Sequence, residues 1–312
     1  MSKYLAIAIT FIVLMAFPLL SSYYATQTLP TSSKLALRPV HNGRPMIPVP
    51  PGPKAESPAK ATLCPLPNAQ CQGSYNWGGY VVVGSTGSVT SVVGNWTVPS
   101  LTGDNAAGGN RTTGGPCADT DVSWYDASVW IGIDGFTSGT VEQTGTSSDC
   151  YYGITYYYAW YEFYPAGSVT AFYVNPGDHI EAIVTYSATS ATCCFATYLK
   201  DRTTGRVSYV SGMNVASASE NSAEWISESA ATGLGTGVLV LLDLSNFGSD
   251  TFTNAAATIM GSTGSISSFS PNDYWVGMIN MNYPYTPFMK AQPLALKSAG
   301  KTFTTKFVSA GP

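Results

Sequence analysis

Two side chains stand out as able to do chemistry together. They are Gln143, in the run Trp130-Ile131-Gly132-Ile133-Asp134-Gly135 to Gln143-Thr144-Gly145, and Glu228 further along the chain. A neutral amide stands here where water-activating sites usually place an acid or a nucleophile. Glutamine does not titrate in water, so it stays both donor and acceptor at a pH where a second carboxylate would lose its charge. A lone glutamate beside it must serve as base and then as acid, and a reference pKa of about 4.3 suits acidic conditions. The other candidate carboxyls, all in strand-like or aromatic segments, are Asp134, Glu142, Glu162 and Glu224. Glu142 precedes Gln143 and should face the other side of its strand. Glu224 shares a face with Glu228, but an extended chain separates their backbones by about 13 Å, so they should not share a proton. Glu224 is expected at a substrate rim or in a supporting position.

Other catalytic arrangements find little support. The chain has two histidines, His41 in a Pro-rich stretch and His179 after Pro176-Gly177-Asp178, which reads as a turn into a strand. No Gly-x-Ser-x-Gly elbow accompanies them, which disfavours a serine triad. No Cys-x-x-Cys or His-x-x-x-His spacing suggests zinc, and neither a metal nor another cofactor is expected. Six cysteines fit an oxidising compartment. Cys64 and Cys71 bracket a short loop, and Cys117 and Cys150 flank the Trp130 to Gly145 segment. The adjacent Cys193 and Cys194 leave a vicinal bridge, two thiols or bonds to other cysteines open.

These residues need a scaffold, and the sequence supplies strands. Gly79 to Gly84, Ser88 to Pro99, Val129 to Asp134, Tyr156 to Tyr164, His179 to Ser187, Ala196 to Lys200, Glu224 to Ser227, Thr251 to Met260, Tyr274 to Met281 and Thr302 to Val308 all read as strands, punctuated by Gly and Ser. The segment Trp130 to Gly145 reads as strand-like. No four-turn helix or internal repeat is evident. So many short strands imply an all-β sandwich, because one open sheet of that size would leave an apolar face in water. The stretch from Leu101 to Asp121, rich in Gly, Asn and Thr, reads as a long loop.

The ends and the charge complete the outline. A basic head and the apolar run Tyr4 to Leu20 make residues 1–25 a signal peptide, or an uncleaved anchor that would hold the chain at a membrane with its domain outside. Residues 26–72 are Pro-rich and lack periodicity, as a pro-segment or linker does, leaving 73–312 as the folded domain. Six bases and one acid precede residue 73, so eight bases and seventeen acids fall after it. An acidic domain disfavours nucleic acid as a partner, and the basic segment has charge complementary to that domain. Charged residues make up only 10% of the chain, so few carboxylates are locked in ion pairs that acid would break. Asn95-Trp96-Thr97 and Asn110-Arg111-Thr112 are glycosylation sequons, of which Asn110, in the loop, is the better acceptor.

Four blocks, taken in order, resemble the glutamic peptidases of the eqolisin family. They are Asn76-Trp77-Gly78-Gly79-Tyr80, Trp130-Ile131-Gly132-Ile133-Asp134-Gly135 with Gln143-Thr144-Gly145, Ala159-Trp160-Tyr161-Glu162-Phe163-Tyr164-Pro165, and Ala223-Glu224-Trp225-Ile226-Ser227-Glu228. The resemblance implies a concanavalin-like (lectin-like) β-sandwich of two curved antiparallel sheets, with the site on the concave face. It implies a secreted, monomeric, pepstatin-insensitive acid endopeptidase acting on polypeptides. Glu228 would be its general base and acid, and Gln143 would hold the water and the oxyanion. Trp77, Trp130 and Glu162 would wall and support the cleft, while Asp134 has the character of a turn-shaping residue. Tyr158 departs from the fungal pattern, which has an acid just before Ala-Trp-Tyr-Glu. Two competing readings are a carbohydrate-active or carbohydrate-binding sandwich with Glu162 and Glu228 as its carboxyl pair, and an anchored, non-catalytic surface protein.

Overall fold

The computed structural model describes residues 41, 43–48, 70–101, 124–151, 154–189, 194–232, 240–279 and 289–311. The loop expected from Leu101 to Asp121 lies outside these residues apart from Leu101, as do the N-terminal apolar run, Cys64, Asn110, Cys117 and Cys193. Cys71, Cys150 and Cys194 are disulfide-bonded. No helix of the described residues is long and apolar enough to cross a membrane.

The described chain is almost entirely strand. It begins with β1 (Gln70–Ser74), β2 (Trp77–Val83), β3 (Val89–Thr97), β4 (Trp124–Asp126), β5 (Ser128–Ile133), β6 (Val141–Tyr151) and β7 (Ile154–Tyr164). It continues through β8 (Val169–Tyr173), β9 (His179–Ser187), β10 (Cys194–Asp201), β11 (Val207–Met213), β12 (Ser222–Glu228), β13 (Ala231–Thr232), β14 (Val240–Leu241) and β15 (Asp243–Leu244). The last strands are β16 (Ser249–Ile259), β17 (Ser262–Ser265), β18 (Asp273–Ile279), β19 (Met289–Pro293) and β20 (Phe303–Phe307).

Two layers result. In one, the strands run β1-β18-β2-β12-β5-β6-β7-β8, antiparallel except for the parallel pair β1–β18. The other runs β17-β16-β3-β9-β10-β11 and is antiparallel throughout. β16 belongs to both, since Ser249 to Phe252 pair with β20 in the first layer and Thr253 to Ile259 pair with β3 in the second.

Side-chain alternation explains the stacking. Ile180, Ala182 and Val184 of β9 point inward at period two, and meet Ile131, Ile133, Ala159, Phe163, Ala223 and Trp225 from the first layer in one core. The valine, isoleucine and phenylalanine side chains among them each contribute about 1.5–3 kcal/mol on burial. Two indoles also bridge the layers by hydrogen bonds: Trp225 Nε1 donates to the Val93 carbonyl at 2.8 Å, and Trp96 Nε1 to Thr146 Oγ1 at 2.9 Å.

The first layer buries its other face as well. Trp77, Val81, Trp130, Val141, Tyr158, Trp160, Ile226 and Val276 form a separate apolar cluster there. Over it lie residues 43–48, where the Met46 amide donates to the Gly135 carbonyl at 2.9 Å and the Tyr75 amide to the Ile47 carbonyl at 2.9 Å.

The strand-like segment from Trp130 to Gly145 is the hairpin β5–β6, turned at Asp134 (φ 73°) and Gly135 (φ 107°). Asp and Gly tolerate this left-handed backbone. The fold-back sets Trp130 opposite Gly145 and Gln143 opposite Gly132.

Candidate active site

Strand register decides which side chains meet. Glu228 ends β12 opposite Trp77 of β2 and Ser128 of β5. Trp130 lies two residues beyond Ser128 on the same face, and its Nε1 donates to Glu228 Oε2 at 2.8 Å. Asn76 Nδ2 donates to Glu228 Oε1 at 3.2 Å, and the Arg44 amide reaches the same oxygen at 3.3 Å. Trp77 buttresses Trp130 edge-on at a ring separation of 5.0 Å. Gly145 gives Trp130 its room, since a Cβ there would stand 2.5 Å from the Trp130 Cβ. Complete burial pushes the Glu228 carboxyl well above the usual range, and the charge of Asp126 pushes it further.

Gln143 stands opposite Gly132 on one side and Glu162 on the other. Its Nε2 donates to Glu162 Oε2 at 2.8 Å, while its buried Oε1 has no hydrogen-bond partner. Burial and the neighbouring Glu228 hold Glu162 well above the ordinary carboxyl range. Gln143 is thus bonded to Glu162 and not to Glu228.

The group facing both sides is one that sequence reasoning assigned to a linker. His41 is buried, with its ring stacked on Trp160 at 3.8 Å between centroids and 18° between planes. Its Nδ1 lies 2.8 Å from Ser128 Oγ, which meets Ser147 Oγ at 2.7 Å. Its Nε2 faces Glu228 Oε2 at 3.8 Å and Glu162 Oε2 at 4.0 Å. Burial brings the imidazole pKa down to about 3. The basic character of residues 26–72 was the sole sequence signal for this contact. Asn76 lay within a recognised block, but an asparagine before a strand reads as a turn residue.

The other expected site residues lie apart from this centre. Asp134 accepts the amides of Ser219 at 2.7 Å, Glu220 at 2.8 Å and Asn221 at 2.9 Å, organising the loop into β12 instead of contacting the cleft pair. Glu224 is fully buried opposite Gly132 and Val81, with neither carboxyl oxygen hydrogen-bonded, so it lies under the surface instead of at a rim. Burial raises its pKa strongly and lifts that of Glu142 to about 9. Tyr158 donates to Asp149 Oδ2 at 2.8 Å, so its hydroxyl serves a buried Asp149–Asp126 pair. His179 begins β9 and meets Thr97 Oγ1 at 3.1 Å, in an exposed position.

The sequence and the fold are similar to those of known proteins. A family model for the peptidase A4 family matches residues 75–278. Aspergillopepsin-2 of Aspergillus niger is 40% identical over 200 residues, covering 61% of this chain and 66% of the relative. Scytalidopepsin B of Scytalidium lignicola is 36% identical over 158 residues, covering 49% and 51% respectively. The chain thus spans just under two thirds of the first relative and about half of the second. A crystal structure of scytalido-glutamic peptidase with a transition state analog inhibitor superposes with a TM-score of 0.57 at 26% identity, covering 75% of this chain and 98% of that one. A member of the eqolisin family in complex with the tripeptide Ala-Ile-His gives 0.55 at 25% identity, with the same coverage. With a family model matched over most of its length and a fold shared with an inhibitor-bound member, the chain belongs to the peptidase A4 family, the eqolisins.

Proposed function

We propose that the protein is a secreted acid endopeptidase in which Glu228 activates water and Gln143 stabilises the oxyanion. The observation that carries this reading is the pair of neutral donors, Trp130 Nε1 and Asn76 Nδ2, converging on Glu228 while Gln143 keeps an unpartnered Oε1. With the cleft open, Glu228 takes a proton from water and the hydroxide attacks the scissile carbonyl carbon. The second Nε2 hydrogen of Gln143 bonds the oxyanion, and the first stays on Glu162, which fixes the amide's orientation. As the C–N bond breaks, Glu228 returns its proton to the leaving amine, so the products are one carboxyl and one amine. Glutamine keeps its donors at any acidic pH, which suits the site to conditions where paired carboxylates are protonated. Peptidase relatives and the inhibitor-bound neighbour support polypeptides as substrates.

The test is hydrolysis of a denatured protein across about pH 2–7, a range that brackets carboxyl titration, with pepstatin present. Glu228→Gln and Gln143→Ala should each lower kcat about 10³-fold or more while leaving the fold intact. Full activity in Glu228→Gln would overturn the assignment.

A further inference from the structure

The two residues after Glu228 are each held by a buried charge. The ladders of β12 with β2 and β5 end at Glu228, so they no longer fix the backbone of Ser229 and Ala230. Asp126, at the end of β4, accepts the Ala230 amide at 2.7 Å, and Lys290 of β19 donates through Nζ to Ser229 Oγ at 3.1 Å. Ser229 Oγ donates in turn to the Leu242 carbonyl at 2.6 Å, which Lys290 Nζ also approaches at 3.4 Å. The Ser229 amide donates to the Asn76 carbonyl at 2.9 Å, and Asn76 is the residue whose Nδ2 reaches Glu228 Oε1. Asp126 and Lys290 are only 1% and 3% exposed. Buried charges are costly unless paired and hydrogen-bonded, so one of each sign at this place calls for a reason.

We propose that, with Glu228 as the base assigned above, Asp126 and Lys290 are its positioning residues, two opposite charges that clamp Ser229 and Ala230 and so aim the Glu228 carboxyl at Trp130 Nε1 and Asn76 Nδ2. Charge-assisted bonds are about twice as strong as neutral ones, and a base displaced by about 1 Å loses about a hundredfold in rate. Asp126 has a second task. It shares a hydrogen bond with Asp149, which also accepts the Tyr158 hydroxyl at 2.8 Å. Two buried carboxyls joined in this way hold one proton between them. Asp149 is pushed up further than Asp126, by burial and then by the Asp126 charge, so the proton sits on Asp149. The charge stays on Asp126, which Lys290 attracts and the Ser128 hydroxyl approaches at 3.5 Å. After burial itself, that charge is what raises Glu228 most. From the other elements, His41, the Arg44 amide and Glu162 of β7 face Glu228. Burial lowers Lys290 to about 8, against the attraction of Asp243 and Asp126, so the amine is charged throughout the acidic range.

The experiment measures kcat and KM on a short fluorogenic peptide across about pH 2–7, with the full chain held in acid until its rate is steady and folding read by near-UV circular dichroism. Asp126→Asn keeps an oxygen for the Ala230 amide but loses the charge, so the acid limb of kcat should move about one pH unit lower with KM unchanged. Lys290→Met keeps the volume but removes donor and charge, and should lower kcat about tenfold or more, again with KM unchanged. Ser229→Ala should do the same. The double variant should be no worse than either single one, because the lysine acts through that hydroxyl. An unmoved acid limb in Asp126→Asn, an unaltered kcat in Ser229→Ala, or losses in the two β12-end variants that simply multiply would each overturn the proposal. Ser229→Ala, the smaller change, decides the point if Lys290→Met does not fold. Glu228→Gln runs alongside: if it is silent while the other variants match the wild type, only the clamp is refuted. If it hydrolyses the peptide, the assignment of the base itself falls.

Discussion

Trp130 and Asn76 each place a neutral N–H on Glu228, and such donors favour the ionised form of a carboxyl. Trp130→Phe keeps an aromatic ring but removes the donor, so the Glu228 carboxyl, the proposed base, becomes harder to ionise. The rising acid limb of kcat should move to higher pH, with a loss of about tenfold or more at the optimum, as a pH–rate profile would measure. At this scale the sequence was informative where chemistry was concentrated in motifs. Trp130 bonds Glu228 and Gln143 bonds Glu162, but no hydrogen bond joins Gln143 to Glu228, the pair that the blocks implied. His41 was illegible because its neighbours carry no periodicity, and only the tertiary contact with Trp160 and Ser128 gives it a place.

The β5–β6 hairpin and the loop into β12 act as one element, with Asp134 as the joint. Asp134→Ala removes three charge-assisted bonds from the amides of 219–221 and should cost about 2–4 kcal/mol in a denaturant melt. Gly145→Ala would drive a methyl into Trp130 and the Val129 carbonyl, lowering both stability and kcat. Strands with clean alternation, such as β3 and β9, were readable from sequence. The strand β6 was harder because Val-Glu-Gln-Thr-Gly-Thr-Ser-Ser-Asp is polar yet buried. Its hydroxyls are satisfied from neighbours, as when Thr144 Oγ1 donates to the Trp160 carbonyl at 2.7 Å. β11 escaped notice because it is a largely exposed edge with little apolar face to mark it.

Across the molecule, the low charge content becomes a store of buried neutral acids. Asp250 is raised to about 7 and Glu142 to about 9, both chiefly by burial, and Asp126, Asp149, Glu162, Glu224 and Glu228 shift upward for the same main reason. A raised folded-state pKa stabilises fully below the unfolded value, near 4, and that stabilisation is lost as pH rises through the folded value. His41, lowered to about 3, opposes this as pH falls from 6.5, as do Asp201 and Lys290, which are also lowered, but the seven raised carboxyls outnumber them. The chain should therefore melt at a higher temperature at about pH 4 than at about pH 8, by calorimetry; the reverse order would refute the account. Arg202–Glu181, at 2.9 Å and exposed, is the one ion pair among the described residues apart from the His41 contacts, so acid breaks few favourable charges. Trp225→Ala should cost about 3–5 kcal/mol, since it empties a fully buried site and breaks the bond to Val93. The same bridging occurs in the backbone, where β16 continues from one layer into the other without a break. Neither layer can then peel away while the other keeps all its ladder bonds. Deuterium should enter the protected amides of β9 and β12 through a shared opening event, giving them similar exchange free energies and a single cooperative unit in place of two separable halves.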